Sequence, residues 1–380
     1  MIQKSYFLKK LEKVKLVIGN GFDLYCDLKT SYRDFFKTKE PDNDIFNNWF
    51  NENRNDFFNY INNGSCTIDF NVIKSLDAWT IYFFILMRTK TDYNPNWWDV
   101  EKQIENSLKD SNVNLYWNWV YKTIKEKGLS MLSVGKENKG FVECLASILI
   151  SRNGDLRNAS LDAFYEFLLN ELKKFERNFA RYIYGLHNEE DGTNLHFRRH
   201  SEMAIEKLCN INNIVSVDSF NFDNLEIKEL DDKLHHINGN LNVPIFGVDS
   251  SAFDVTDQGY IFTKSYRRME NDMNDDEIMN KEDFENVIIF GCSMQSADYS
   301  YFFAIFDTIN IIDVNSKSKI VFAFNVYDSN KAERIKSDLR KTIFNLFYEY
   351  SKYKGNNIEP NRLLDALTSQ GKIILYEISK

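Results

Sequence analysis

Hydrophobic and polar positions change their period along this chain. Leu16-Val17-Ile18 is an apolar run long enough for a buried strand and too short for a helix. It stops at Gly19-Asn20-Gly21, and a helical pattern begins within a few residues. That predicts a strand, a tight turn and a helix. Tyr32, Phe35 and Phe36 continue at i, i+3, i+4, again helical, whereas Asn43 to Asn63, rich in Asn, Asp and Phe, reads as loop or short helices. From Val72 the helical period dominates. Leu76 to Met87 predicts a buried helix, Asn96-Trp97-Trp98-Asp99 opens another over Val100 to Leu108, and Phe164, Phe167, Leu168, Leu172, Phe175, Phe179 and Ile183 stripe a long one over Leu161 to Ile183. Aromatic stripes of this kind are read as core.

Beyond Cys209 the pattern becomes short β-branched runs: Ile214 to Val217, Leu234 to Ile237, Val287 to Phe290, Lys319 to Phe324 and Ile373 to Tyr376, with helical stretches between several of them. Such runs separated by crossovers predict a parallel sheet. The first strand joins it most simply if the helical block is an insertion. The expected fold is therefore α/β, a Rossmann-like parallel sheet with a large helical insertion after the first βα unit. Residues 1–40 and 205–380 would form a discontinuous nucleotide-binding core, and 41–204 the mainly helical insertion.

Composition narrows the function classes. The 380 residues are 43% hydrophobic, 27% charged and 15% aromatic, which is a folded rather than a disordered chain. A formal net charge of −9 argues against general nucleic-acid binding, which needs a surplus of Lys and Arg on one face. Lys264 with Arg267 and Arg268 is the densest basic group, and it reads as a solvated face. The cysteines at 26, 66, 144, 209 and 292 have neither metal-ligand nor disulfide-scaffold spacing. With no apolar run near the roughly 20 residues of a spanning helix and a mixed charged segment at Met1, the expectation is a cytoplasmic protein with no membrane association. The Phe and Tyr content admits a homo-oligomer.

In an open parallel sheet, ligands bind beyond the carboxyl ends of the strands. Four polar stretches fall there: Gly19-Asn20-Gly21-Phe22-Asp23; Ser219-Phe220-Asn221-Phe222-Asp223-Asn224; His236-Ile237-Asn238-Gly239-Asn240; and Gly291-Cys292-Ser293-Met294-Gln295-Ser296-Ala297-Asp298. Paired glycines in the first permit positive φ and close approach of a ligand, and a helix starting there aims its amides at a phosphate. The third glycine of the dinucleotide fingerprint is replaced by Leu24, so this is not an ordinary Rossmann turn. Asn, Ser and Asp also cap helices and make turns, so each stretch has a structural reading beside the functional one.

These residues carry two resemblances. Leu16 to Leu24, followed by Leu28 to Phe35, resembles the opening of the bacteriophage abortive infection AbiH family. Asn96 to Glu101, Ile237 to Asn240, Ile245-Phe246-Gly247, and Ile289 to Ser293 with Ala297-Asp298-Tyr299 also fit that family. More distantly, the four strand-end motifs are similar to sirtuin-like NAD-hydrolysing domains of bacterial antiphage systems. That resemblance implies a sirtuin-like core with NAD as substrate or ligand and no prosthetic group. In it Gly19, Asn20, Gly21, Phe22 and Asp23 would hold the pyrophosphate, and Asn221 and Asp223 would orient the ribose. Gly239, Gly291, Ser293 and Asp298 would complete the site. The partner is then a small-molecule nucleotide, and the alternative is a catalytically impaired nucleotide-binding sensor or effector module.

One departure bears on catalysis. Where the sirtuin-like pattern has histidine before Gly239, this chain has Asn238, and an amide takes up no proton near neutral pH. His236 is the obvious substitute on the same face of an extended strand. Two residues of strand put it about 7 Å back, outside the roughly 3 Å reach of a base. His235 points to the opposite face. The catalytic candidates are thus Asn221, His236 and Asn238, the last by fixing a water. His196 and His200 form an i, i+4 pair without a third metal ligand, and His187 reads as exposed helix or loop. Cys292 reads as a small turn residue.

Overall fold

The computed structural model describes residues 6–38, 41–63, 69–89, 100–109, 117–126, 136–188, 193–271, 283–355 and 359–379. Asn96 to Asp99 and Cys66 lie outside the described residues. The β-branched runs form strands β1 (Val14–Ile18), β2 (Ile214–Ser219), β3 (Leu234–His236), β4 (Asn286–Phe290), β5 (Lys319–Phe324) and β6 (Ile373–Glu377). They make one all-parallel sheet in the order β3-β2-β1-β4-β5-β6. Crossovers run outward from β1 in both directions, so the order reverses between β1 and β4.

Every residue of β1 and β4 is buried, as central parallel strands require. Alternation divides the core by face. Leu16, Ile18, Val217, Ile288 and Phe290 pack with Phe22, Phe197, Ala204, Ile205 and Leu208. Val17, Val287, Ile289, Ile320 and Phe322 pack with Phe302, Ile305, Phe306, Ile343, Leu346 and Phe347. Helices therefore cover both faces.

The chain divides into two units. The sheet unit comprises Met1–Ser31, Ile183–Pro244 and Arg268–Lys380, and the helical unit comprises Tyr32–Tyr182 and Ile245–Arg267. The sequence pattern puts the second boundary at 204/205. The helix Thr193–Leu208 instead has its apolar side in the sheet's core, and residues 245–267 make a second excursion into the helical unit. Asn43 to Asn63, expected as loop or short helices, belongs to one helix, Pro41–Asn63. Asn and Asp are poor helix formers, but Phe46, Trp49 and Phe50 sit at i, i+3, i+4 and are buried. Packing outweighs propensity there.

The basic group of the sequence is not a surface patch. Lys264 and Arg267 are 4% and 1% exposed. Lys264 pairs with Glu101 at 3.0 Å, and Arg267 forms a two-pronged pair with Glu176, both contacts 2.9 Å. Glu176 also accepts from the Phe246 amide and Glu101 from the Gly247 amide, so the Ile245-Phe246-Gly247 motif is held by one buried and one partly buried carboxylate.

Candidate functional site

Strand register levels the four polar stretches. Ile18 pairs with both Ser219 and Phe290, and Ser219 pairs with His236, so the four stretches leave the sheet in one row. The amides of Gly19, Phe220 and Ile237 extend the ladder by donating to Phe290, Ile18 and Ser219 carbonyls. The stretches thus meet along the carboxyl edge around the reversal point, where the fold places ligands.

The glycines there serve another backbone. Neither Gly19, at φ −141°, nor Gly21 takes positive φ; that conformation falls on Gly291 (+76°) and Gly239 (+78°). A Cβ on Gly19 would lie 2.9 Å from the Cys292 Cα, and one on Gly21 2.8 Å from the Gly291 Cα. The turn's amides are engaged as well: Gly21 donates to the Gly291 carbonyl at 2.8 Å and Phe22 to the Gly19 carbonyl at 2.7 Å. The following helix, Asn20–Tyr25, is only six residues long. Asn20 donates to the Thr30 carbonyl and hydroxyl, and the Phe22 ring lies in the core. This turn is a packed joint between β1 and β4.

Asn221, from the second stretch, is the centre of the polar group. Its backbone N–H donates to the Ser219 hydroxyl, its side-chain nitrogen donates to Asp23 at 2.7 Å, and its backbone carbonyl faces His236 Nδ1 at 2.9 Å. Asp23 is 1% exposed and takes a second donor from the Thr30 hydroxyl. Burial and the neighbouring Asp223 charge push its carboxyl well up from the ordinary range. Asp23 therefore supports Asn221 from below. Asp223 lies 3.1 Å from His187 Nε2, and both side chains are largely buried. His187 was not expected here; a helix-end histidine four residues past Ile183 carries no signal of this pairing.

His236 is the last residue of β3, which ends one residue earlier than the apolar run suggests. Burial lowers its pKa, against the opposing effects of the Asn221 carbonyl and Asp223, so the ring is neutral near pH 7. Both ring nitrogens face acceptor oxygens, Nδ1 the Asn221 carbonyl at 2.9 Å and Nε2 the Asn224 Oδ1 at 3.1 Å, so the single proton of the neutral ring satisfies one of them. In the tautomer protonated at Nδ1, Nε2 is a nitrogen able to accept a proton.

Asn238 is 6% exposed, and its Oδ1 is buried with no hydrogen-bond partner among the described residues. Gly239 follows with its Cα pressed against the Val243 carbonyl, which a Cβ would meet at 2.0 Å. In the fourth stretch Ser293 is exposed, Met294 is buried with φ +50°, and Asp298 precedes the helix Tyr299–Thr308. Burial and the Asp298 charge hold the Cys292 thiol well above its usual range. His200 contacts Asp27 at 3.2 Å.

A second buried network lies within the sheet. Lys15 of β1 donates to Ser216 at 2.8 Å and to both oxygens of Asp218, at 2.9 and 2.8 Å; Tyr301 donates to Asp218 as well. All three β-strand side chains are at most 1% exposed. Burial and Asp218 hold the Tyr301 hydroxyl well above its usual range.

The six-stranded order and the levelled polar edge define an α/β protein of Rossmann-like arrangement. The chain belongs to the bacteriophage abortive infection AbiH family, whose description matches residues 16–324. No curated protein and no solved structure matches it. Membership gives it a role in abortive-infection defence against phage. Among the described residues no helix is long and apolar enough to cross a membrane.

Proposed function

We propose that the strand-end group binds NAD or a related nucleotide and, on infection, hydrolyses its nicotinamide–ribose bond. The observation that carries this reading is the contact of His236 with Asn221, which turns a neutral histidine into an oriented base at the carboxyl edge. In the reaction a water oxygen bonds to the ribose C1′, the C1′–N bond breaks, and its electron pair leaves with neutral nicotinamide. The water's proton passes to His236 Nε2. Asn221, held through its nitrogen by Asp23, offers its carboxamide oxygen to a ribose hydroxyl. Asp223 would orient the ribose with Asn221, Asn238 would fix the water, and Ser293 and Asp298 would close the site. NAD is substrate here, and no prosthetic group is invoked.

The test is cellular NAD, read by mass spectrometry in infected cells. NAD should fall with the wild-type protein and hold steady with equally abundant Asn221→Ala or His236→Gln, since loss of a positioned base costs about 10²- to 10⁴-fold in rate. Steady NAD in wild-type cells that still resist phage would sink hydrolysis. That outcome favours a second reading, a nucleotide-binding sensor, which the buried amide of Asn238 before Gly239 supports. Asn238→His separates the two: gain of NAD cleavage marks a site short of one base, and unaltered NAD binding without cleavage marks a sensor.

A further inference from the structure

The anion-holding role expected of the first turn falls to no amide that the turn has free at Gly21 or Phe22, since both donate within the protein. The same sheet edge carries a cation instead. On the helix Lys264–Glu270, Lys264 is neutralised by the partly buried Glu101 and Arg267 by the buried Glu176. Arg268 differs. It is half-buried, and its Nε and Nη2 both donate to the Ile237 carbonyl, at 3.1 and 2.9 Å. Among the described residues it has no carboxylate partner, and Nη1 makes no hydrogen bond.

Ile237 is the residue between His236 and Asn238, so the guanidinium is pinned at the carboxyl end of β3 beside two of the three catalytic candidates. Its charge reaches Tyr301, where it opposes the upward push of burial. The nearest buried anion of that network, Asp218, is already neutralised by Lys15. Asn238 contributes the complementary feature, a buried Oδ1 acceptor with no donor among the described residues. A buried acceptor left unpaired is costly, so a group that supplies an N–H or O–H there is favoured.

We infer that Arg268 and Asn238 form a phosphate subsite at the end of β3. Arg268 Nη1 takes a phosphate oxygen, and Asn238 Oδ1 takes a hydroxyl or amide donor of the same ligand. This deepens the nucleotide reading above and rests on it. A guanidinium anchored by two of its nitrogens has lost its freedom before the ligand arrives, so little ordering is left to oppose binding. The subsite places the phosphates of a dinucleotide toward β3 and away from the packed β1–β4 joint.

The experiment is calorimetric titration of the full-length protein with ADP-ribose, and separately with inorganic pyrophosphate, for wild type, Arg268→Gln and Arg268→Lys. Wild type should bind both probes. Arg268→Gln should weaken them by about tenfold to a hundredfold, as loss of a charged hydrogen bond does, and flatten the salt dependence. Arg268→Lys keeps the charge without the two-pronged anchor and should fall between them, with its melting temperature confirming that the fold is intact. Equal ADP-ribose affinity in wild type and both variants overturns the subsite and leaves the nucleotide reading standing. Pyrophosphate binding that depends on Arg268, with no ADP-ribose binding, supports the subsite and overturns the nucleotide reading. Failure of wild type to bind either probe overturns both.

Discussion

At Gly291 the backbone takes φ +76°, and a Cβ would stand 2.1 Å from the Phe22 amide nitrogen. Gly291→Ala must therefore cost more than the roughly 1–2 kcal/mol of a left-handed backbone alone, because the β1 turn has to withdraw. Gly185 is the control: it lies inside the helix Leu161–His187, and nothing stands within 4 Å of its Cβ position. Gly185→Ala should stabilise by about 0.5–1 kcal/mol through helix propensity. Urea titration of both variants checks the opposite signs. The paired glycines of the first turn were legible in the sequence as a turn, since an apolar run stops there. Their packing partner was not, because it lies 270 positions further on and only the sheet order brings it near. Lys15 was hidden for a related reason. A lysine beside Leu16 marks a strand boundary until Ser216 and Asp218 are known to lie opposite it.

Elements show what a carboxylate can fasten. Glu176, on the helix Leu161–His187, holds the Phe246 amide and Arg267, so residues 245–267 are tied at both ends of their excursion. Burial raises the Glu176 carboxyl, and the guanidinium draws it back down. Arg267→Leu leaves that carboxylate buried without its counterion and should destabilise by about 3–5 kcal/mol, whereas Glu176→Leu with Arg267→Leu should recover much of the loss. Thermal melting of the single and double variants reads this; a double variant as unstable as the sum of the singles would contradict it. Periodicity told the strands and the long helix Leu161–His187 well, because burial on a fixed face repeats in sequence. It failed for the Lys264, Arg267 and Arg268 group. Charge density in sequence says nothing of whether glutamates lie opposite.

On the scale of the whole molecule, buried carboxyl groups set how stability responds to pH. Asp77 precedes the helix Ala78–Thr89 and accepts from the Thr80 amide and hydroxyl at 2.7 and 2.6 Å. Those bonds and Arg152 favour its charge, but burial, aided by Glu171, outweighs them and pushes its pKa up to about 7. The folded chain therefore binds more protons than the unfolded chain between about pH 4 and pH 7. Stability from this group is full below about pH 4, is lost as pH rises through that window, and is level above it. Asp23 has the same sign, since its carboxyl is also raised; His236, with a lowered pKa, has the opposite sign near its ordinary value of 6.5. Asp77→Asn isolates one term, because asparagine caps the helix about as well as aspartate and carries no charge to titrate. The melting temperature of wild type relative to Asp77→Asn should be higher at pH 5 than at pH 8, through a differential of a few kcal/mol at most. A difference that stays constant with pH, or reverses, would show that Asp77 keeps its charge in the folded protein and that the Thr80 and Arg152 contacts, rather than burial, decide its state.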